Sequence, residues 1–295
     1  MLSSCPGKKA TTPGTQDSTK GYIDAHVHIW TDDPERYPLA AGVKKEHLSP
    51  ATFTAEELLK VARPAGVSRI VIIHIGYFGD DHSYMLDTMR QYKGVFAGVG
   101  IVDVNDQPRQ KMLELAQQGV SGFRISPPKE NESALWLNGG NMATMWECGA
   151  DEGLAMCLLT NPEQLPLVDK MCQKYPRTPV VIDHFARIGL TDNRETHLDN
   201  LCGLARHKNV TVKASAFYAL GKKKAPYLDL GPMIHRLVDA FGPERVMWAT
   251  DCPFQLQKGH TYQGSIDLIK EGLDFLTAND REWILRKTAE KVFFS

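Results

Sequence analysis

Arg69-Ile70-Val71-Ile72-Ile73-His74 sets four consecutive branched aliphatic residues between two polar ones. A strand with one wet face alternates apolar and polar residues. A run without alternation belongs to a strand covered on both faces, as parallel strands under helices are. Thr178-Pro179-Val180-Val181-Ile182-Asp183 reads the same way. Working outward, β-type runs are predicted at 22–29, 69–75, 95–102, 120–125, 155–160, 179–184, 209–215 and 246–251. Between them, helices are predicted near 54–64, 81–92, 105–118, 141–152, 162–175, 196–207, 230–241 and 263–277, with a last one near 279–291. Thr54 with Glu57 reads as a capping box, and Gly66, Gly94, Gly119 and Gly153 mark ends. Eight strand–helix units predict a (β/α)8 (TIM) barrel over residues 21–295, without internal repeat or second domain. The rival, a doubly wound open sheet, would normally carry a glycine-rich phosphate turn after its first strand, and the sequence has none there.

Of the 295 residues, 42% are hydrophobic and 23% charged, as in a soluble globular protein. The net charge of −1 gives no electrostatic reason to expect a nucleic acid or an anionic membrane as partner. No apolar run is long enough for a membrane span. Six cysteines (Cys5, Cys148, Cys157, Cys172, Cys202 and Cys252) occur without a C-x-x-C pair and read as reduced thiols, predicting a cytoplasmic setting. Residues 1–20, rich in Gly, Pro, Ser, Thr and Lys, are predicted to be a disordered polar tail. Leu2-Ser3-Ser4-Cys5 resembles the end of a bacterial lipoprotein signal. No apolar segment precedes it, so an exported lipoprotein is the alternative only for a trimmed precursor.

Asp24-Ala25-His26-Val27-His28-Ile29-Trp30 carries the chemistry. Residues two apart on a strand face the same way, so His26 and His28 should project together, with Ile23, Ala25, Val27 and Ile29 on the other face. In a (β/α)8 barrel, function sits at the C-terminal ends of the strands. Those ends offer His26 and His28, then His74, Arg124, His184, Lys213 with Ser215, and Asp251. Closing the barrel makes the first and eighth strands neighbours, which returns Asp251 to the histidine pair. A carboxylate among imidazoles can hold a divalent metal or activate a water. Bland roles compete: satisfied core histidines, a turn-capping Asp251, a salt-bridged Arg124. Asp24 reads as a brace and Cys252 as packing. Tyr77, His82, Tyr84, Trp136 and Tyr218 are predicted as pocket-wall residues on the loops.

Asp24-Ala25-His26-Val27-His28-Ile29-Trp30, Arg36-Tyr37-Pro38, Gly122-Phe123-Arg124-Ile125, Ile182-Asp183-His184 and Thr250-Asp251-Cys252-Pro253 resemble the amidohydrolase-2 branch of the amidohydrolase superfamily. Within that branch they are most similar to lactonases that open pyrone dicarboxylates or sugar lactones. The resemblance implies a hydrolase in which His26, His28 and His184 polarise a lactone carbonyl and Asp251 takes a proton from water. It also implies that Arg124 binds a substrate carboxylate and that His74 is a further pocket position, while Tyr77 on its loop and Ser215 at the end of the seventh strand are further substrate-binding candidates from their places in the chain. The substrate should be small and anionic or sugar-derived. Metal-dependent relatives add a fifth-strand histidine, where this chain has Leu158-Leu159-Thr160. Hydrolysis without a cofactor is therefore the first expectation. The alternative is one zinc or manganese ion on His26, His28 and Asp251, in an amidohydrolase or decarboxylase acting on a small carboxylic acid. A catalytically silent scaffold barrel is the third reading. The seventh strand, Val212-Lys213-Ala214-Ser215, shows no second arginine for a dicarboxylate.

Overall fold

The apolar runs become eight parallel strands that pair in sequence order: β1 (Tyr22–Val27), β2 (Val67–Ile73), β3 (Phe96–Gly100), β4 (Val120–Ile125), β5 (Ala155–Leu158), β6 (Val180–Ile182), β7 (Val210–Ala214) and β8 (Val246–Trp248). The computed structural model describes residues 20–126, 140–189 and 194–295. Cys5, Trp136 and the predicted tail up to residue 19 lie outside the described residues. A helix follows each strand: α1 (Ala55–Ala62), α2 (Ser83–Gln91), α3 (Pro108–Ala116), α4 (Gly140–Glu152), α5 (Leu165–Lys174), α6 (Arg194–Gly203), α7 (Gly231–Phe241) and α8 (Tyr262–Lys270). The expected capping box is present: Thr54 Oγ1 accepts from Glu57 N at 3.3 Å, and Thr54 N donates to Glu57 Oε2 at 2.7 Å. At the seam, β1 and β8 meet through His28 N to Cys252 O (2.7 Å) and Asp251 N to His26 O (2.9 Å). These bonds leave a nearly closed (β/α)8 barrel.

Two apolar layers hold the barrel. The outer one packs strand residues such as Val67, Ile70 and Ile72 against helix residues such as Leu58, Met85 and Ile266. The inner one fills the lumen with Ile23, Ala25, Val71, Ile73, Val99, Cys157, Val181 and Met247. The last helical segment, Ala278–Glu282 through Thr288–Phe293, sends Ala289 and Phe293 into that inner layer. Its Glu290 pairs with Arg69 near the start of β2 (2.6 Å), so the segment plugs the N-terminal mouth and leaves the C-terminal mouth open.

Strict alternation along the first strand is not what folds. Asp24 pairs with Ile70 and Val27 with Ile72, so three residues of β1 advance against two of β2. This bulge puts Ile23 and Ala25 in the lumen along with His26 and His28, while Val27 and Ile29 pack outward. The local cause is Asp24, whose carboxylate accepts the His26 N–H at 3.2 Å.

Several strands also stop short of the predicted 155–160, 179–184 and 246–251. Beyond them the backbone leaves the ladder: Asp251 lies at φ 68°, and His184, Phe185, Ala186 and Arg187 at φ 52° to 58°. Four non-glycine residues in succession at positive φ make a left-handed turn, a geometry costing roughly 1–2 kcal/mol per residue. That turn takes His184 and Arg187 off the strand and into the mouth.

Strand β4 carries Arg124 and depends on a close approach two residues earlier. A Cβ on Gly122 would sit 2.7 Å from the Ala155 carbonyl oxygen on β5. Gly122→Ala is expected to destabilise the barrel by about 1–3 kcal/mol, read as a lower midpoint in denaturant unfolding. An unchanged midpoint would show that the two strands can separate freely.

Candidate active site

At the seam the expected convergence occurs. Asp251 Oδ1 lies 3.4 Å from His28 Nε2, 3.6 Å from His26 Nε2 and 4.0 Å from His184 Nε2. The two β1 imidazoles meet Nε2 to Nε2 at 3.4 Å. All four side chains are buried or nearly so. Asp251 Oδ2 accepts from the Tyr218 hydroxyl at 2.7 Å, so the carboxylate has one oxygen anchored and one turned to the histidines. Burial pushes the Asp251 carboxyl up, but His184, His28 and His26 together outweigh it and hold it well below the usual carboxylate range.

Each imidazole is oriented from behind. His28 Nδ1 donates to the Ile73 carbonyl (2.8 Å), which can only accept. Ser215 Oγ and His184 Nδ1 share a hydrogen bond at 2.8 Å, and the same hydroxyl lies 3.5 Å from the Lys213 carbonyl. Ser215 is thus a fully buried support for His184 and not a cavity-wall residue. Behind His26 lie Lys213 Nζ, 3.3 Å from Nδ1, and Asp183 Oδ1, 3.4 Å from the same nitrogen. Lys213 and Asp183 pair at 3.0 Å, both wholly buried. Burial raises the Asp183 carboxyl, and Lys213 followed by His26 overcomes that and holds it well down. Burial, with Lys213 second, depresses the His26 imidazole well below its ordinary value, and burial depresses His184 too.

The C-terminal mouth opens into a cavity of about 540 Å³. His28, His184, Asp251 and Tyr218 stand on its floor and side, with His74, Ile101, Leu159 and Phe254 around them. Arg124 also lines it, its guanidinium 3.8 Å from Asp183 Oδ2, and its Nε has no hydrogen-bond partner among the described residues. His74 Nε2 donates to the Gly79 carbonyl (2.8 Å), and its ring stacks on His82 at 4.1 Å. Burial followed by His82 lowers His74 to about 3. Tyr77 packs edge-on against Trp30 at 5.2 Å, and it is not among the described residues lining the cavity; neither are His82 and Tyr84. The 3-10 turn Gly76–Phe78 draws the Tyr77 ring back onto the outer core.

Two participants escaped sequence reasoning. Arg187 supplies a second guanidinium to the cavity, held by Asn161 at 3.0 Å. The search for it was directed at the seventh strand, whereas the left-handed turn after β6 delivers it. Asp183 precedes a candidate histidine in sequence, yet nothing in the sequence says that Lys213 lies beneath it.

Asp24 is a brace, as expected. Its carboxylate accepts from Thr250 N (3.0 Å), Thr250 Oγ1 (2.6 Å), the Tyr262 hydroxyl (2.8 Å) and His26 N, tying β1 to β8 and α8. Burial raises this carboxyl to about 6 against those bonds.

A divalent ion suits the donor spacing. Metal–ligand bonds of about 2.0–2.1 Å in a tetrahedron put donors roughly 3.4 Å apart. The set His26, His28 and Asp251 has separations of 3.4, 3.6 and 3.4 Å. His26, His184 and Asp251 form a second possible set, with donor atoms within 4.8 Å of one another. The expectation that no cofactor is required finds no support in this geometry.

Among the described residues, no helix is long and apolar enough to cross a membrane. The chain is 27% identical over 250 residues to an L-fucono-1,5-lactonase of Burkholderia ambifaria, covering 81% of this chain and 82% of that one. It is also 27% identical over 258 residues to a 2-pyrone-4,6-dicarboxylate hydrolase of Comamonas testosteroni, covering 81% and 79%. A zinc-bound amidohydrolase of Burkholderia multivorans has the same fold, with a TM-score of 0.77 at 20% identity over 92% of this chain and 99% of that one. The amidohydrolase sequence profile matches residues 23–294. With the barrel, the seam and this match together, the chain belongs to the amidohydrolase family of hydrolytic enzymes.

Proposed function

We propose that the protein opens a small cyclic ester bearing an anionic group, giving a hydroxy acid. The observation that carries this reading is the meeting of Asp251 with His28 and His184 on the floor of a cavity walled by Arg124 and Arg187, with His26 buried behind them. Acyl hydrolysis needs a base for water and donors for the developing oxyanion, and both are within reach of one substrate position. Asp251 Oδ1 takes a proton from water as its oxygen bonds to the lactone carbonyl carbon. Imidazole N–H then faces the oxyanion. Collapse breaks the ring C–O bond, and the proton on Asp251 passes to the departing oxygen. A divalent ion on His26 and Asp251, with His28 or His184 as the third donor, would supply Lewis-acid polarisation of the same carbonyl. The lactonase and pyrone hydrolase relatives support the ester class; the paired arginines support a carboxylate or comparable anion on the ring.

Sugar and pyrone lactones presented at neutral pH with an indicator dye should release acid above the uncatalysed rate. Silence across the panel, with carbon dioxide released from a small aromatic acid instead, would replace this reading by a decarboxylase. Arg187→Met is expected to raise KM for an anionic lactone by about tenfold to a hundredfold, one charge-assisted contact, with little change for a neutral lactone. Equal effects on both substrates would remove Arg187 as an anion contact.

A further inference from the structure

We propose that the buried Lys213–Asp183 pair holds His26 with its proton on Nε2, so that this wholly buried imidazole donates toward His28 and Asp251 and orders the cluster that faces the substrate. Two independent contacts point the same way. Lys213, ion-paired with Asp183 at 3.0 Å, presents an ammonium that can only donate, and it sits 3.3 Å from His26 Nδ1. Toward that ammonium the nitrogen offers its lone pair, while Asp183 Oδ1, 3.4 Å from the same nitrogen, already faces Lys213 Nζ. On the far side, His26 Nε2 faces His28 Nε2 at 3.4 Å. His28 spends its Nδ1 proton on the Ile73 carbonyl, so with its Nε2 as acceptor the proton between the two rings belongs to His26. Asp251 Oδ1, 3.6 Å from the same Nε2, is a second acceptor.

Lys213 thus acts through His26 as a positioning residue, from a place in the lumen where its Nζ lies over the Phe293 ring at 5.4 Å. A cation on His26 Nε2 requires the other tautomer. For that state Asp183 Oδ1 waits 3.4 Å from Nδ1 as the acceptor. The donor state and the metal-ligand state of His26 exclude each other, and the Lys213 hydrogen bond favours the first while no cation is bound.

The effect on turnover rests on the ester-hydrolysis reading, but the tautomer does not, and the test separates them. Two-bond proton–nitrogen NMR spectra of the full-length, nitrogen-15-labelled, chelator-treated protein should show the Nε2–H pattern for His26, assigned by its loss in His26→Gln. In Lys213→Met the pattern should change to Nδ1–H as Asp183 becomes the partner. The same variant should lose about tenfold to a hundredfold in kcat on a lactone, the loss of a support behind an active-site histidine, with KM within about threefold. Nδ1–H in the unaltered protein overturns the proposal, as does an unchanged tautomer in Lys213→Met. Should that variant fail to fold, the unaltered protein's spectrum decides alone. Absence of lactone turnover by the unaltered protein strikes the proposed function and leaves the tautomer measurement standing.

Discussion

Asp251→Asn is expected to lower kcat on a lactone by about a thousandfold, with KM changed little and the unfolding midpoint near that of the parent protein. General-base catalysis contributes on the order of 10²–10⁴ in rate, and an amide cannot take the proton. The substitution keeps the volume and the acceptor for the Tyr218 hydroxyl, so the left-handed backbone at φ 68° keeps its anchor. It also removes a charge whose burial the three imidazoles more than compensate, so the midpoint should fall only slightly. Single-turnover hydrolysis with excess enzyme checks it, because slow product release cannot mask the chemical step there. Activity within tenfold of the parent would exclude Asp251 as the base.

Asp24→Ala should have the largest effect on stability. Its carboxylate alone receives the Thr250 amide, the Thr250 hydroxyl, the Tyr262 hydroxyl and the His26 amide. A buried donor left without a partner costs about 1–3 kcal/mol, and rearrangement or water recovers some of it. A net loss of about 4 kcal/mol, roughly 10 °C in midpoint, is the expected outcome. The same carboxylate accepts the His26 amide within the bulge and links β1 to β8, so turnover should fall even where the variant remains folded. Asp24→Asn, which keeps one strong acceptor, should lose about half as much. Calorimetry on the three proteins gives the ordering, and a loss below 1 kcal/mol in Asp24→Ala would show that the seam does not depend on this residue.

The fold was legible because lumen and helix layer both demand apolar side chains. Runs such as Ile70-Val71-Ile72-Ile73 announce that demand without alternation. The seam was legible for a topological reason: eight strands in order leave only the first and eighth to pair. The bulge was not, since period-two reasoning assumes one residue per rung and Asp24 supplies an acceptor the rung does not. Ser215 was read as substrate-facing from its place near a strand end, yet one hydrogen bond to His184 turns it into a support. Arg187 went unseen because a left-handed turn has no apolar signature.

What the chain determines by itself is the inventory and its order: eight strand–helix units, imidazoles early and in the sixth unit, a carboxylate in the eighth. Periodicity and closure follow from that order, since burial of apolar faces is a property of composition along the chain. Only the tertiary structure decides the protonation geometry. Which nitrogen of His26 carries the proton depends on Lys213, 187 residues away, reaching Nδ1 inside a lumen from which water is excluded. There, with no solvent to exchange for a lost contact, an ammonium a few ångströms away sets the direction of the His26 hydrogen bonds.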